Sequence, residues 1–134
     1  MLQDLTFHHI GIASRNINTE IPIYEEIGYT VSSKVFSDPL LGIKCVFMEG
    51  TGPRIEIVMP QDVENHNVLD SWLNKGVKMY HLAFITSDLD ITIEKAKLTG
   101  GKIVVPPTPA VAFDGRNISF IIFRNMSLIE YIES

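Results

Sequence analysis

The 134-residue chain has one cysteine, Cys45, so no disulfide can close within it and a small stapled fold is excluded. A lone thiol in an apolar stretch reads as a small buried hydrophobe. No apolar run approaches the roughly 18 residues of a membrane span, and no basic segment leads into an apolar one at the start. The expectation is a soluble, cytoplasmic protein that engages no membrane. Basic residues are the minority: 11 Lys and Arg stand against 16 Asp and Glu, a net charge of −5. That balance gives no electrostatic reason to expect nucleic acid as a partner. A glycine-rich phosphate loop is missing too, and Arg15, Arg116 and Arg124 read as solitary, solvated charges. What is left is ordinary globular composition at the length of one domain, with enough chain to bury a real core.

Within it, Phe7-His8-His9-Ile10-Gly11-Ile12-Ala13 sets an imidazole between apolar neighbours in a β-type run. Met79-Tyr80-His81-Leu82-Ala83-Phe84-Ile85 echoes that run. Arg54-Ile55-Glu56-Ile57-Val58 and Leu128-Ile129-Glu130-Tyr131-Ile132 echo each other.

Read in order, Thr6 to Ala13 is a predicted strand, and Ser14-Arg15-Asn16 caps a helix that runs to Ile27 and stops at Gly28. Pro22 belongs in a first helical turn, which allows a start as late as Thr19. Strands are predicted over Thr30 to Phe36, Ile43 to Glu49 and Arg54 to Met59, with turns at Ser37-Asp38-Pro39 and Gly50 to Pro53. Residues 61–77 form a linker with one short helix, Val68 to Leu73, anchored by Trp72. His66 lies in its polar stretch and reads as structural. The second half repeats the order: a strand over Tyr80 to Thr86, then a helix capped by Ser87 or Asp88 and ended by Gly100-Gly101. Strands follow at Lys102 to Val105, Asn117 to Phe123 and Leu128 to Ile132. Pro106 to Gly115 reads as a proline-rich loop at the edge of a cleft.

Subtraction exposes the repeat. His9 to His81 is 72 positions, and Ile17, Gly28 and Val31 land on Leu89, Gly100 and Ile103; Glu56 to Glu130 is 74. Each copy reads strand, helix, three strands. The predicted fold is α+β: one domain over 1–134 made of two tandem βαβββ modules, about 5–60 and 78–134, forming a curled mixed sheet around a central cleft.

Side chains alternate along a strand. His9 therefore shares a face with Phe7, Gly11 and Ala13, and His81 with Ala83 and Ile85. Glu56 shares one with Arg54 and Val58, and Glu130 with Leu128 and Ile132. Opposite each lies a bulky apolar set suited to a helix, and His8 falls on that side. A carboxylate in an apolar strand costs several kcal/mol unless paired or bound to a cation. Arg54 could pair with Glu56 as a plain salt bridge. Two imidazoles and two carboxylates on matching faces instead suggest one mixed N/O site for Zn, Fe, Co, Ni or Mn, and a poor one for Ca.

These four strands, with Gly115-Arg116-Asn117-Ile118-Ser119-Phe120, resemble the vicinal oxygen chelate (glyoxalase/bleomycin-resistance/dioxygenase) superfamily over essentially the whole chain. Within it the similarity is greatest to methylmalonyl-CoA epimerases, then to glyoxalase I, the lactoylglutathione lyase. The resemblance implies a divalent metal held by His9, Glu56, His81 and Glu130, a small-molecule substrate and commonly a homodimer. It implies an isomerase, epimerase or lyase that moves a proton beside the carbonyl of an acyl-CoA or similar compound, with Glu130 as first base and Glu56 as second. Two departures stand out. Pro39-Leu40-Leu41-Gly42 has no acid where such epimerases place one, with Asp38 two residues away, and Arg124-Asn125-Met126-Ser127 replaces an Asp-Pro-x-Gly turn. The competing readings are a metal-free binding protein of the antibiotic-sequestering kind and an Fe(II) dioxygenase. The second glutamate argues against the dioxygenase, because oxygen chemistry needs that position open.

Overall fold

A computed structural model describes residues 4–62 and 68–134, so His66 lies outside the described residues. The class is α+β, with nine strands and three α-helices among the described residues. The chain divides into two compact units, one of His9–Tyr80 and one of His81–Ser134 with the residues up to His8.

The first unit takes in the second half of β1 (Leu5–Ala13), α1 (Ile17–Glu26), β2 (Thr30–Val31), β3 (Phe36–Asp38), β4 (Ile43–Glu49), β5 (Ile55–Pro60) and α2 (Val68–Asn74). Its strands run in the order β2-β4-β5-β1, with β3 also on β4. β1 and β5 are parallel, and the remaining pairs are antiparallel. The Asn16 side chain accepts from Asn18 N to start α1, and Gly28 (φ 97°) leaves it in a left-handed conformation that favours glycine. The inner face of α1, Ile17 with Ile21 and Tyr24, packs on Ile12, Val46, Met48, Ile55 and Ile57. That burial explains why Pro22 is tolerated in the helix interior, beyond the first turn where it was expected: packing offsets the lost backbone hydrogen bond.

The second unit holds β6 (Met79–Thr86) from His81 onward, α3 (Leu89–Leu98), β7 (Lys102–Pro109), a 3₁₀ turn (Val111–Phe113), β8 (Asn117–Ile122) and β9 (Leu128–Glu133). The strand order is β6-β9-β8-β7, with β6 and β9 parallel. Asp88 caps α3, and Gly100 (φ 90°) leaves it as Gly28 leaves α1. Leu89, Ile93 and Ala96 of α3 pack on Ile121 and Tyr131.

Further expectations change. Thr30 to Phe36 is interrupted, leaving a two-residue β2 and placing Ser37 and Asp38 in β3 ahead of the turn. Pro106 to Pro109 belongs to a strand: among the described residues β7 pairs with β8 alone and shifts register twice along it, so prolines without N–H groups fit. The alternation read back from His9 to Phe7 also fails. Leu5 packs on the α3 core cluster, and the Phe7 ring meets Phe84 of that same face at 5.8 Å. The start of β1 belongs to the second unit, so its side chains follow that unit's packing. In α2 the buried anchor is Leu69; Trp72 is half-buried, 6.4 Å from the Tyr80 ring.

Candidate metal centre

In the first unit, the parallel pairing of β1 with β5 sets Gly11 opposite Glu56. His9, two residues before Gly11, lies diagonally next to Glu56 on the same face. Gly11 contributes no side chain there, and the His9 Nε2 comes to 3.3 Å from the Glu56 Oε1. On its other side Glu56 is in register with Phe47 of β4, whose ring meets the His9 imidazole in a T-shaped contact at 5.4 Å. The second unit repeats this. Ala83 of β6 is opposite Glu130 of β9, and His81 Nε2 lies 3.2 Å from Glu130 Oε1. Phe120 of β8 is in register with Glu130, and its ring meets His81 at 5.1 Å.

All four ligand candidates are buried. Desolvation makes an ionised carboxylate costly there unless a positive partner faces it. Two chemistries can supply that charge: an imidazolium within each pair, or a metal cation binding the neutral Nε2 and the carboxylate oxygen. Among the described residues each unit offers one such pair, His9 with Glu56 and His81 with Glu130. An imidazole nitrogen beside a carboxylate oxygen suits a divalent first-row metal, so the donors of each pair fit the expected cofactor class without choosing among Zn, Co, Ni, Mn and Fe.

Other side chains singled out in the sequence have different duties. Arg54 pairs with Glu49 at 3.4 Å, while Glu56 faces His9. His8 stacks edgewise on Phe113. Arg15 donates to Asn74, Arg116 to the Phe113 carbonyl, and Arg124 lies against Gly100. Asp38 is buried; its carboxylate accepts from Leu41 N at 3.1 Å and its carbonyl from Gly42 N at 2.8 Å, tying down the turn. Leu40 at the tip is 72% exposed. Cys45 is buried, as a small hydrophobe should be. Phe47 and Phe120 carry no local signal of a role in the sequence; folding each hairpin about its turn brings residue 47 opposite 56 and residue 120 opposite 130.

The fold is shared with solved structures of low sequence similarity. A hypothetical protein from Bacillus halodurans C-125 has a TM-score of 0.82 at 23% identity, over 98% of this chain and 96% of that one. Methylmalonyl-CoA epimerase from Mycobacterium tuberculosis gives 0.80 at 24% identity, over 99% and 92%. A Streptomyces coelicolor methylmalonyl-CoA epimerase variant in complex with 2-nitronate-propionyl-CoA gives 0.77 at 20% identity, over 100% and 96%. No protein of curated function matches the chain in sequence. A family sequence profile does, across residues 8–120. The chain belongs to the Glyoxalase/Bleomycin resistance protein/Dioxygenase superfamily.

Proposed function

We propose that His9, Glu56, His81 and Glu130 together bind one divalent cation, and that the protein catalyses proton transfer at the carbon beside a carbonyl, with epimerisation of a 2-methyl-branched acyl-CoA as the leading activity. The observation that carries this reading is the duplicated buried pair: each unit sets an imidazole Nε2 within 3.3 Å of a carboxylate, on the face turned away from its helix. The likeness in fold to methylmalonyl-CoA epimerases supports the substrate class.

A divalent cation held by His9, Glu56, His81 and Glu130 would supply positive charge beside the carbonyl and so lower the cost of removing the proton on the adjacent carbon. The rest falls to the chain. His9 and His81 present Nε2 and keep it aimed by their packing. Glu130 takes the proton from carbon, and Glu56, its counterpart in the other unit, returns one. With the Asp38 carboxylate engaged at its own turn, Glu56 and Glu130 are the carboxylates left to divide the work.

Metal analysis of protein purified without chelators tests the site, with about one equivalent expected. Less than about a tenth of an equivalent would favour the metal-free binding protein. Solvent deuterium incorporation into a 2-methyl-branched acyl-CoA tests the chemistry, and no incorporation at any metal loading would discard the epimerase reading. Glu130→Gln should slow exchange by about 10²–10⁴-fold, the range of a lost general base. The homodimer implied by the sequence resemblance is checked by sedimentation.

A further inference from the structure

We propose that Phe47 and Phe120 are positioning residues that hold the His9 and His81 imidazoles in their metal-binding orientation; this rests on the four-residue site proposed above. A histidine ring turns about its Cβ–Cγ bond, and small rotations move Nε2 away from a ligand's required direction. Metal-binding imidazoles are usually steered by a hydrogen bond at the other ring nitrogen. A ring packed against the imidazole resists the same rotation, and an aromatic contact accompanies each one. The Phe47 and His9 centroids are 5.4 Å apart at 73°, and those of Phe120 and His81 are 5.1 Å apart at 89°, both within the favoured edge-to-face range.

The placement is systematic. Each phenylalanine is the cross-strand partner of its own unit's glutamate, so one hairpin carries both the carboxylate beside Nε2 and the ring that orients the imidazole. The two halves differ behind that ring. Phe47 is backed by Phe36 at 6.4 Å, and the Lys34 ammonium lies 5.5 Å from the Phe36 centroid. Phe36 therefore touches the ring that touches the imidazole, which makes it a natural control for a purely packing role.

The test uses the full chain loaded with Co(II), whose visible spectrum reports ligand geometry. Phe47→Leu and Phe120→Leu keep an apolar side chain but lose the ring edge. Each should weaken metal affinity by about 10–100-fold, as loss of other supporting contacts does, and shift the Co(II) absorption bands. Phe47→Tyr and Phe120→Tyr should restore both. Phe36→Leu should lower the melting temperature and leave affinity and spectrum unchanged. If the Leu variants lost stability but bound Co(II) with the parent's affinity and spectrum, the rings would be core filling and the proposal overturned. A parent protein that bound no Co(II) would overturn the metal site and this inference together.

Discussion

Residues separated by 72 positions let the two units be compared directly, and they part company on the helix side. Ser14 and Glu20 of the first unit correspond to Thr86 and Thr92 of the second. In the second unit the two buried hydroxyls lie 2.7 Å apart and satisfy each other. In the first, the Ser14 hydroxyl bonds the Asn16 backbone, and the buried Glu20 takes a 2.6 Å hydrogen bond from Lys78, just ahead of β6. A neutral pair closes on itself, whereas a carboxylate in the same place needs a cation brought to it. The histidine, glutamate and phenylalanine of the other face show no such divergence. Their residue types, registers and distances agree to a few tenths of an ångström between units. A structural role tolerates substitution by any locally satisfied solution; a shared ligand would demand the same donors from both sides.

Removing one imidazole at a time puts that likeness under the greatest strain. His9→Ala and His81→Ala should each weaken metal binding by more than about 100-fold, beyond the range for supporting residues, with the fold retained by circular dichroism. Equal losses would mean that the two units contribute equally. A variant that held metal as tightly as the parent would remove its unit from the site.

Next come the two cores. Ile57 and Ile121 are both fully buried on the helix-packed faces. Ile57→Ala and Ile121→Ala should each destabilise by about 2–5 kcal/mol in urea unfolding, the cost of lost burial plus a cavity. A loss under about 1 kcal/mol at either position would show that its unit repacks where the other cannot.

The helix caps separate the units by charge. Asn16 and Asp88 each accept a hydrogen bond from the first turn of their helix, and truncation to alanine should cost about 1 kcal/mol. Asp88 is anionic at a positive helix end, and α3 carries Lys95 and Lys97 in its last turn where α1 has no basic residue. The Asp88→Ala loss should therefore shrink with added salt and the Asn16→Ala loss should not, in thermal unfolding at two ionic strengths.

How far the sequence reaches follows from the range of each signal. The caps, Gly28, Gly100 and the alternation around Glu56 and Glu130 are local, so residue types alone place them. Pro106 and Pro107 mislead because their tolerance depends on β7 lying at an edge of its unit, a fact of strand order and not of nearby residues. Phe7 misleads for a related reason: alternation holds only while a strand stays within one packing environment, and β1 passes from one unit to the other between His8 and His9. The imidazole-steering rings needed the hairpin register, which the turns at 50–53 and 124–126 supply once both strands are folded back on them.

Two tyrosines on the helix-packed faces give the finest comparison. Burial raises the Tyr131 hydroxyl above its ordinary 10.0 in the second unit. In the first, burial again comes first in raising Tyr24, followed by the charge of Glu20 and then Tyr29. Both phenols are neutral when protonated, so a raised folded-state value means the unfolded chain ionises more readily. Their contribution to stability is whole below the ordinary value and is lost as pH rises through the folded one. Ultraviolet difference titration of Tyr24→Phe and Tyr131→Phe should assign the two transitions. Salt should lower the Tyr24 transition by screening Glu20 and leave the Tyr131 transition in place. If both moved equally with salt, the neighbouring carboxylate would not be what distinguishes them.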